Sequence, residues 1–227
     1  MRDAVRSFVR EAAASLPIAE PIVEIGARSA DGQEAISNLR CLFPGKEYIG
    51  CDVQEGHGVD RVEDIHALSF PDASVGTVIA MDTLEHVADP LRALEQIHRV
   101  LKPGGVVIMS SVMFFPIHAH PWDYWRFTPE GFALLLAPFE SRLVMTHGWE
   151  QMPETVFGVG VKGPFAGLEP TLFPDTDRAG REWAHGTSVD FGPIRMTTRQ
   201  IWGYALRASL ASVQRRLMRL RSSSRSS

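Results

Sequence analysis

Apolar positions in the first sixteen residues recur at helical spacing: Val5, Phe8, Val9, Ala12, Ala13 and Leu16. That spacing predicts an amphipathic helix feeding the core, ended by Pro17 and Pro21. The pattern then shortens. Residues 22–26 are an apolar run stopped by Gly26 and read as a buried strand, while 33–43 look helical up to Pro44-Gly45. Residues 47–53 make a second strand that ends in an acid. Residues 59–65 are expected as a short third strand, 70–73 as a turn, and the apolar, β-branched run Val75–Met81 as a fourth strand. Asp89-Pro90 opens a helix to Leu101, with Asp89 as N-cap, Pro90 in the first turn and Lys102-Pro103-Gly104-Gly105 as its stop. Val106–Val112 is a fifth strand, and Thr128-Pro129-Glu130 opens a helix to about Ala137. Leu143–Trp149 and Thr155–Lys162 are the last two strands. Their short link, containing Pro153, suits an antiparallel hairpin.

Strands alternating with helices predict an α/β fold: a mostly parallel sheet covered on both faces. There are no internal repeats. The 227 residues, 44% apolar and 22% charged, suffice for one α/β domain with an appendage. Charge sharpens the division. The net value is −4, yet residues 191–227 hold eight arginines, no lysine and no acid, leaving −12 on the remainder. An acidic body argues against a general nucleic-acid binder. Cys41 and Cys51 make no disulfide framework and read as reduced thiols of a cytoplasmic protein. No run of about 18 apolar residues predicts a membrane span, and residues 1–16 carry charges where a signal peptide would be apolar.

Candidate chemistry starts at the first strand end, Val23-Glu24-Ile25-Gly26-Ala27-Arg28-Ser29-Ala30-Asp31-Gly32. In doubly wound folds ligands bind at the carboxyl ends of strands, where glycine lets them approach the backbone. A dinucleotide fingerprint would place glycines where this chain has Arg28 and Asp31, so that ligand class is disfavoured. Glu24 suits a ligand that carries an ammonium group. Asp52, ending the second strand, can accept both hydroxyls of a ribose. Asp64 can accept from an adenine amino group, or be a solvated loop acid.

Four segments together resemble the class I S-adenosylmethionine-dependent methyltransferases: Val-Glu-Ile-Gly, Asp52, Asp82-Thr83-Leu84-Glu85-His86-Val87, and Arg99-Val100-Leu101-Lys102-Pro103-Gly104-Gly105. The resemblance covers about residues 15–162, and the methyltransferase domain is assigned to 1–162. It implies a Rossmann-like, seven-stranded sheet with one antiparallel strand, Thr155–Lys162, and S-adenosyl-L-methionine as cofactor. It implies that Glu24, Gly26 and Ala27 face the methionine part, that Asp52 with Val53 holds the ribose, and that Asp64 and Ile65 flank the adenine. Met81 and Asp82 would sit near the methyl donor. The chain departs from the family's Gly-x-Gly-x-Gly loop, having Arg28 and Ala30 after Gly26. A type 11-like subset, met among bacterial surface-polysaccharide and glycolipid proteins, looks similar in this loop and in the segment that follows the fifth strand.

That segment, Phe115 to Thr128, is dense in polar and aromatic residues and lies over the expected methyl group. His118 or His120 is a candidate general base, with Asp82 completing the candidate catalytic set. Bracing of a lid is the plainer role for the histidines. His-x-His with Asp123 has ligand-capable types, but the spacing is weak evidence and no metal is assigned. Asp123, Tyr124, Trp125 and Arg126 are the candidate acceptor-binding residues: rings can stack on a sugar, and Arg126 can pair with a carboxylate or phosphate. His86, beside Glu85, reads as structural or cofactor-side.

In the extension, 163–227, Trp202, Leu206, Leu210, Val213, Leu217 and Leu220 predict a basic amphipathic helix. It can pack on the acidic body, mediate a homodimer or protein contact through 199–227, or lie on the inner membrane surface. The expected activity is O-methylation of a sugar, glycolipid or other small-molecule hydroxyl. The opposed reading is a non-catalytic methyltransferase fold that binds a partner through the basic helix.

Overall fold

The structure is a computed structural model that describes residues 2–29, 37–149 and 152–177, with backbone at 188–191 and 194–197 and single positions from 199 to 206. The chain divides into two compact units, Met1–Gly180 and Arg181–Ser227. In the first unit seven strands form one sheet: β1 (Ile22–Ile25), β2 (Tyr48–Asp52), β3 (Arg61–Val62), β4 (Val75–Met81), β5 (Leu101–Val112), β6 (Ser141–Trp149) and β7 (Met152–Val161). Their order is β3-β2-β1-β4-β5-β7-β6. β1 pairs in parallel with β2 and β4, β2 with β3, and β4 with β5, while β7 runs antiparallel to both β5 and β6. This is the Rossmann-like sheet that the sequence predicts, with β7 as its reversed strand.

Each element follows from local chemistry. All seven residues of β4 are buried, as a parallel strand covered on both faces requires. Helix α1 (Asp3–Ser15) buries Val5, Phe8, Val9 and Ala12. Phe8 stacks on Phe157 of β7 and on Phe173, with centroids 4.4 and 5.1 Å away. Burying such a ring contributes about 1.5–3 kcal/mol. Helix α2 (Pro90–Val100) is capped by Asp89, which accepts from the Arg92 amide at 3.0 Å. Helix α3 (Pro129–Leu135) is capped by Thr128, which accepts from the Gly131 amide.

Three expectations need correction. The predicted helix over 33–43 does not reach Phe43. Residues 30–36 lie outside the described residues; Ser37 is helical, and after it the chain continues as a 3-10 turn, Arg40–Leu42. Asn38 Oδ1 accepts from the Arg40 amide at 3.0 Å, and such a side-chain bond competes with the helical ladder. The third strand spans two residues rather than seven. Asp64 turns its carboxylate onto the His66 amide and caps a 3-10 turn, Ile65–Ala67. The fifth strand begins at Leu101, not Val106. Leu101 pairs with Val75 and the ladder resumes at Val106 with Thr77, so Lys102–Gly105 bulges within the strand. Lys162 closes the bulge by donating to the His98 and Leu101 carbonyls at 2.7 and 2.8 Å.

The second unit contains a hairpin of β8 (Ser188–Phe191) and β9 (Ile194–Thr197). Trp202, Gly203 and Leu206 are helical, and both apolar side chains are exposed. The rest of the expected basic helix, from Arg207 onward, lies outside the described residues. No helix among the described residues is long and apolar enough to cross a membrane.

Candidate active site

Parallel pairing brings the carboxyl ends of β1, β2, β4 and β5 to one edge of the sheet. Gly26, just past β1, has φ +80, and a Cβ there would lie 2.5 Å from Thr83 Oγ1. That hydroxyl bonds the Ile25 and Met81 carbonyls at 3.2 and 3.0 Å and so ties the ends of β1 and β4 together. Only glycine serves at this point. The Gly26 and Ala27 amides both donate to Cys51 O. Glu24 lies beneath this turn, where Tyr48 donates its hydroxyl to Oε2 at 2.7 Å. Burial pushes the Glu24 carboxyl up to about 7, against the opposing pull of that hydrogen bond.

The other strand ends carry the remaining acids. Asp52 accepts from the Gln54 amide at 3.0 Å and the Arg28 amide at 3.3 Å, and Val53 beside it is exposed. Asp64 is exposed and accepts from the His66 amide at 2.9 Å, and Ile65 is buried. Met81 is buried at the end of β4. Asp82 follows with φ +48, a left-handed conformation that a non-glycine residue adopts at a cost. Its Oδ1 accepts from Ser110 Oγ at 2.8 Å and from Arg2 Nη2 at 2.8 Å. Arg2 also bonds Thr155 Oγ1 and places its guanidinium 5.3 Å from the Phe115 ring centre.

The loop after β5 closes over this edge, held by an internal clamp. Asp123, its side chain 2% exposed, accepts from Arg126 through both oxygens at 2.6 and 2.7 Å and from the His118 amide at 2.8 Å. The Arg126 guanidinium holds the Asp123 carboxyl well below the usual carboxylate range. Arg126 also donates to the Phe115 and Pro116 carbonyls. The Tyr124 and Trp125 amides donate to Glu85 O, and Trp125 Nε1 donates to Val87 O at 2.8 Å. The loop is thereby stitched to the turn that follows β4.

A compact cluster sits where loop and turn meet. Glu85 is fully buried, and its Oε2 accepts from Ser111 Oγ at 2.7 Å. Burial first, and then the neighbouring Asp82 charge, push its carboxyl up to about 7. Its Oε1 has no hydrogen-bond partner among the described residues. His86 Nδ1 lies 2.7 Å from Trp122 O, and the rings of His86 and His118 meet edge to face at 4.7 Å. His118 Nδ1 is 3.2 Å from Pro116 O and 3.3 Å from Asp123 Oδ2.

Residues 34–109 match the methyltransferase domain family. A ubiquinone biosynthesis O-methyltransferase of Ruegeria pomeroyi is 30% identical over 157 residues, covering 67% of this chain and 56% of that protein. A demethylmenaquinone methyltransferase of Clavibacter sepedonicus is 30% identical over 115 residues, covering 44% of this chain and 45% of that one. The chain thus spans about half the length of the curated relatives it matches. In fold it is similar to a SAM-dependent methyltransferase of Archaeoglobus fulgidus, at a TM-score of 0.56 and 15% identity over 71% of this chain and 95% of the other. Residues 34–109 thus carry a methyltransferase domain, on a fold like that of S-adenosylmethionine-dependent methyltransferases.

The methyltransferase domain indicates S-adenosylmethionine as the cofactor, and the donor set at these strand ends fits it. Glu24 suits the cofactor's ammonium, the tight turn at Gly26 and Ala27 suits close approach of its methionine part, and Asp52 suits the ribose hydroxyls. Ala30 and Gly32, in the altered glycine loop, lie outside the described residues. Asp64 keeps one oxygen on His66, leaving the other for an amino group.

Of the candidate catalytic residues, the fold gathers Asp82 and His118 at the strand ends. His120 is exposed, with no hydrogen bond or ring contact described. Of the candidate acceptor residues, Tyr124 and Trp125 keep exposed rings, whereas Asp123 and Arg126 are engaged with each other. Arg2 was not singled out from the sequence, and Glu85 was named only as the neighbour of His86. For Arg2 no signal exists, since its partner is 80 residues away. For Glu85 the signal is an acid between Leu84 and Val87, both buried.

Proposed function

We propose that the chain transfers a methyl group to a hydroxyl of a small acceptor, a sugar or glycolipid hydroxyl foremost. The observation that carries this reading is the cluster of Glu85, His86 and His118 beside Asp82. A hydroxyl acceptor must lose a proton as its oxygen is methylated, and the proton-accepting groups of this cluster, near the ends of β4 and β5, support that reading. The O-methyltransferase named among the relatives supports the same atom. The exposed rings of Trp122, Tyr124 and Trp125 suit stacking on a sugar ring.

S-adenosylmethionine supplies an electrophilic methyl group on a sulfonium. The chain's own residues position and desolvate the partners. Glu24 and Asp52 fix the two polar ends of the cofactor. Asp82, pinned by Ser110 and Arg2, borders the acceptor's path. His118 takes the hydroxyl proton on Nε2, because its Nδ1–H faces the Pro116 carbonyl and the Asp123 carboxylate.

The test is calorimetry with S-adenosylhomocysteine, followed by transfer of a labelled methyl group to a panel of sugars, glycolipids and phenols. Binding with labelled sugar ethers is the expected result. Labelling of phenols alone rejects the sugar acceptor. Absence of binding at millimolar ligand rejects methyl transfer and leaves the non-catalytic reading.

A further inference from the structure

We propose that Glu85, His86 and His118 bind a divalent transition-metal ion at the entrance to the acceptor site. Each residue offers one ligand atom, and these atoms lie within 4.8 Å of one another. Ligands about 2.1 Å from an ion stand about 3.4 Å apart in tetrahedral geometry, so rotamer adjustments of about an ångström close the site. The set comes from two elements. Glu85 and His86 are adjacent on the turn after β4, and His118 arrives from the loop after β5.

Three features single out these residues. The first is the orphaned oxygen: Glu85 is fully buried, and its Oε1 has no partner among the described residues. Such an atom is costly unless something satisfies it. The second is the orientation of the imidazoles. A carbonyl only accepts, so the Trp122 and Pro116 carbonyls fix the proton of each histidine on Nδ1 and leave Nε2 as the lone-pair donor. The third is the outer layer. Asp123 backs His118, Ser111 backs Glu85, and Arg126 locks Asp123, which matches the carboxylate–histidine support found around metal ligands. Two imidazoles and one carboxylate with open positions suit Zn(II), Fe(II) or Co(II) better than Mg(II) or Ca(II), which take oxygen.

Binding of the ion does not depend on methyl transfer. Its consequence does rest on the proposed function: the bound ion would acidify the acceptor hydroxyl so that its proton leaves to solvent, with His118 a ligand in the metal-bound form and the base in the metal-free one.

The test uses the full chain, stripped with chelator and titrated with Co(II). The expected result is one equivalent bound, read as a visible absorption band. His118→Ala and His86→Ala should each weaken binding at least tenfold, and Asp123→Asn about 10–100-fold through its support of His118. Glu85→Gln should abolish the band. Circular dichroism checks its fold, and the half-buried His118 provides the variant least prone to unfold. Identical weak binding by wild type and His118→Ala overturns the site. S-adenosylhomocysteine binding is measured on the same samples: metal without cofactor heat sinks the methyl-transfer reading and supports the site, whereas cofactor heat without metal overturns the site alone.

Discussion

Arg2, entering α1, and Asp82, ending β4, form an ion pair of 2.8 Å across 80 residues of sequence. The first residues of the chain thereby reach the site edge. The pair is about a quarter exposed on each side, so its worth lies above a solvated bridge and below a sealed one. A double-mutant cycle with Arg2→Ala and Asp82→Asn should give a coupling of about 0.5–2 kcal/mol. Arg2→Ala alone should lower Tm by about 2–4 °C per kcal/mol lost. Coupling within error of zero would show that the contact does not steady Asp82.

Glu24 gives the protein a pH dependence of opposite sign to an ordinary salt-bridged acid. Its carboxyl is raised from 4.5 to about 7 by burial, so the native state holds its proton more tightly than the unfolded chain. The associated stability is fully present below about pH 4.5, falls as pH rises, and is lost above about 7, on the order of 3 kcal/mol in all. Glu24→Gln should flatten that slope. Tyr48→Phe removes the Tyr48 hydrogen bond that favours the carboxylate form and should push the titration higher. Cofactor binding places an ammonium at Glu24 and should release a proton between pH 6 and 7. Calorimetry in buffers of different ionisation enthalpy measures that proton, and none released would remove Glu24 from the cofactor site.

The Asp123–Arg126 clamp titrates the other way. Arg126 depresses the Asp123 carboxyl, so its contribution is present above the ordinary value of 3.8 and disappears as pH falls below it. Lysine cannot reproduce two parallel bonds to one carboxylate. Arg126→Lys should therefore loosen residues 113–128 first. Faster limited proteolysis in that loop with an almost unchanged Tm is the expected pair of results. A rate equal to wild type would mean the backbone bonds from Tyr124 and Trp125 hold the loop unaided.

Much of this was legible from sequence, and what was not has a physical reason. The strand Val75–Met81 and the Asp89 cap of α2 depend on local periodicity and on one short-range bond, so the chain states them directly. The bounds of the 33–43 helix and of the third strand differ because Asn38 and Asp64 accept from nearby backbone amides and so end elements that periodicity would extend. The acids at strand ends, Glu24 and Asp52, were visible as residue types. Their hydrogen-bond states were not, since Tyr48 and the Arg28 amide arrive from other segments. Glu85 shows the limit. Its burial depends on the register that sets Ser110 beside Met81, and so brings Ser111 within reach of its carboxylate.

Two glycines separate steric need from conformational freedom. A Cβ at Gly50 would sit 2.0 Å from the Gly58 carbonyl oxygen, a backbone atom that cannot step aside. Gly104 has φ +78 but nothing within 4 Å. Gly50→Ala should cost about 1–3 kcal/mol or more by forcing the β2 loop outward, and should weaken cofactor binding at Asp52. Gly104→Ala should cost about 1–2 kcal/mol by backbone strain alone and leave cofactor affinity unchanged. Equal effects on cofactor affinity would contradict the placement of the β2 loop at the site.

Asp52 and His118 should divide binding from turnover. Asp52 ends β2 with both oxygens already accepting backbone amides, which fixes the carboxylate for two further hydroxyl donors. Asp52→Ala should weaken S-adenosylhomocysteine about 10–100-fold, the loss expected for charged hydrogen bonds. On the proposed function His118, backed by Asp123, serves the acceptor rather than the cofactor. His118→Ala should leave cofactor affinity within a few-fold and cut kcat by about 10²–10⁴, the range of general-base catalysis. His120→Ala is the internal comparison. Exposed and without a described contact, it should keep kcat within about twofold, the change expected of a group outside the proton's path. A large loss at His120 with normal turnover at His118 would move the base to the loop tip and require that loop to close further over the acceptor.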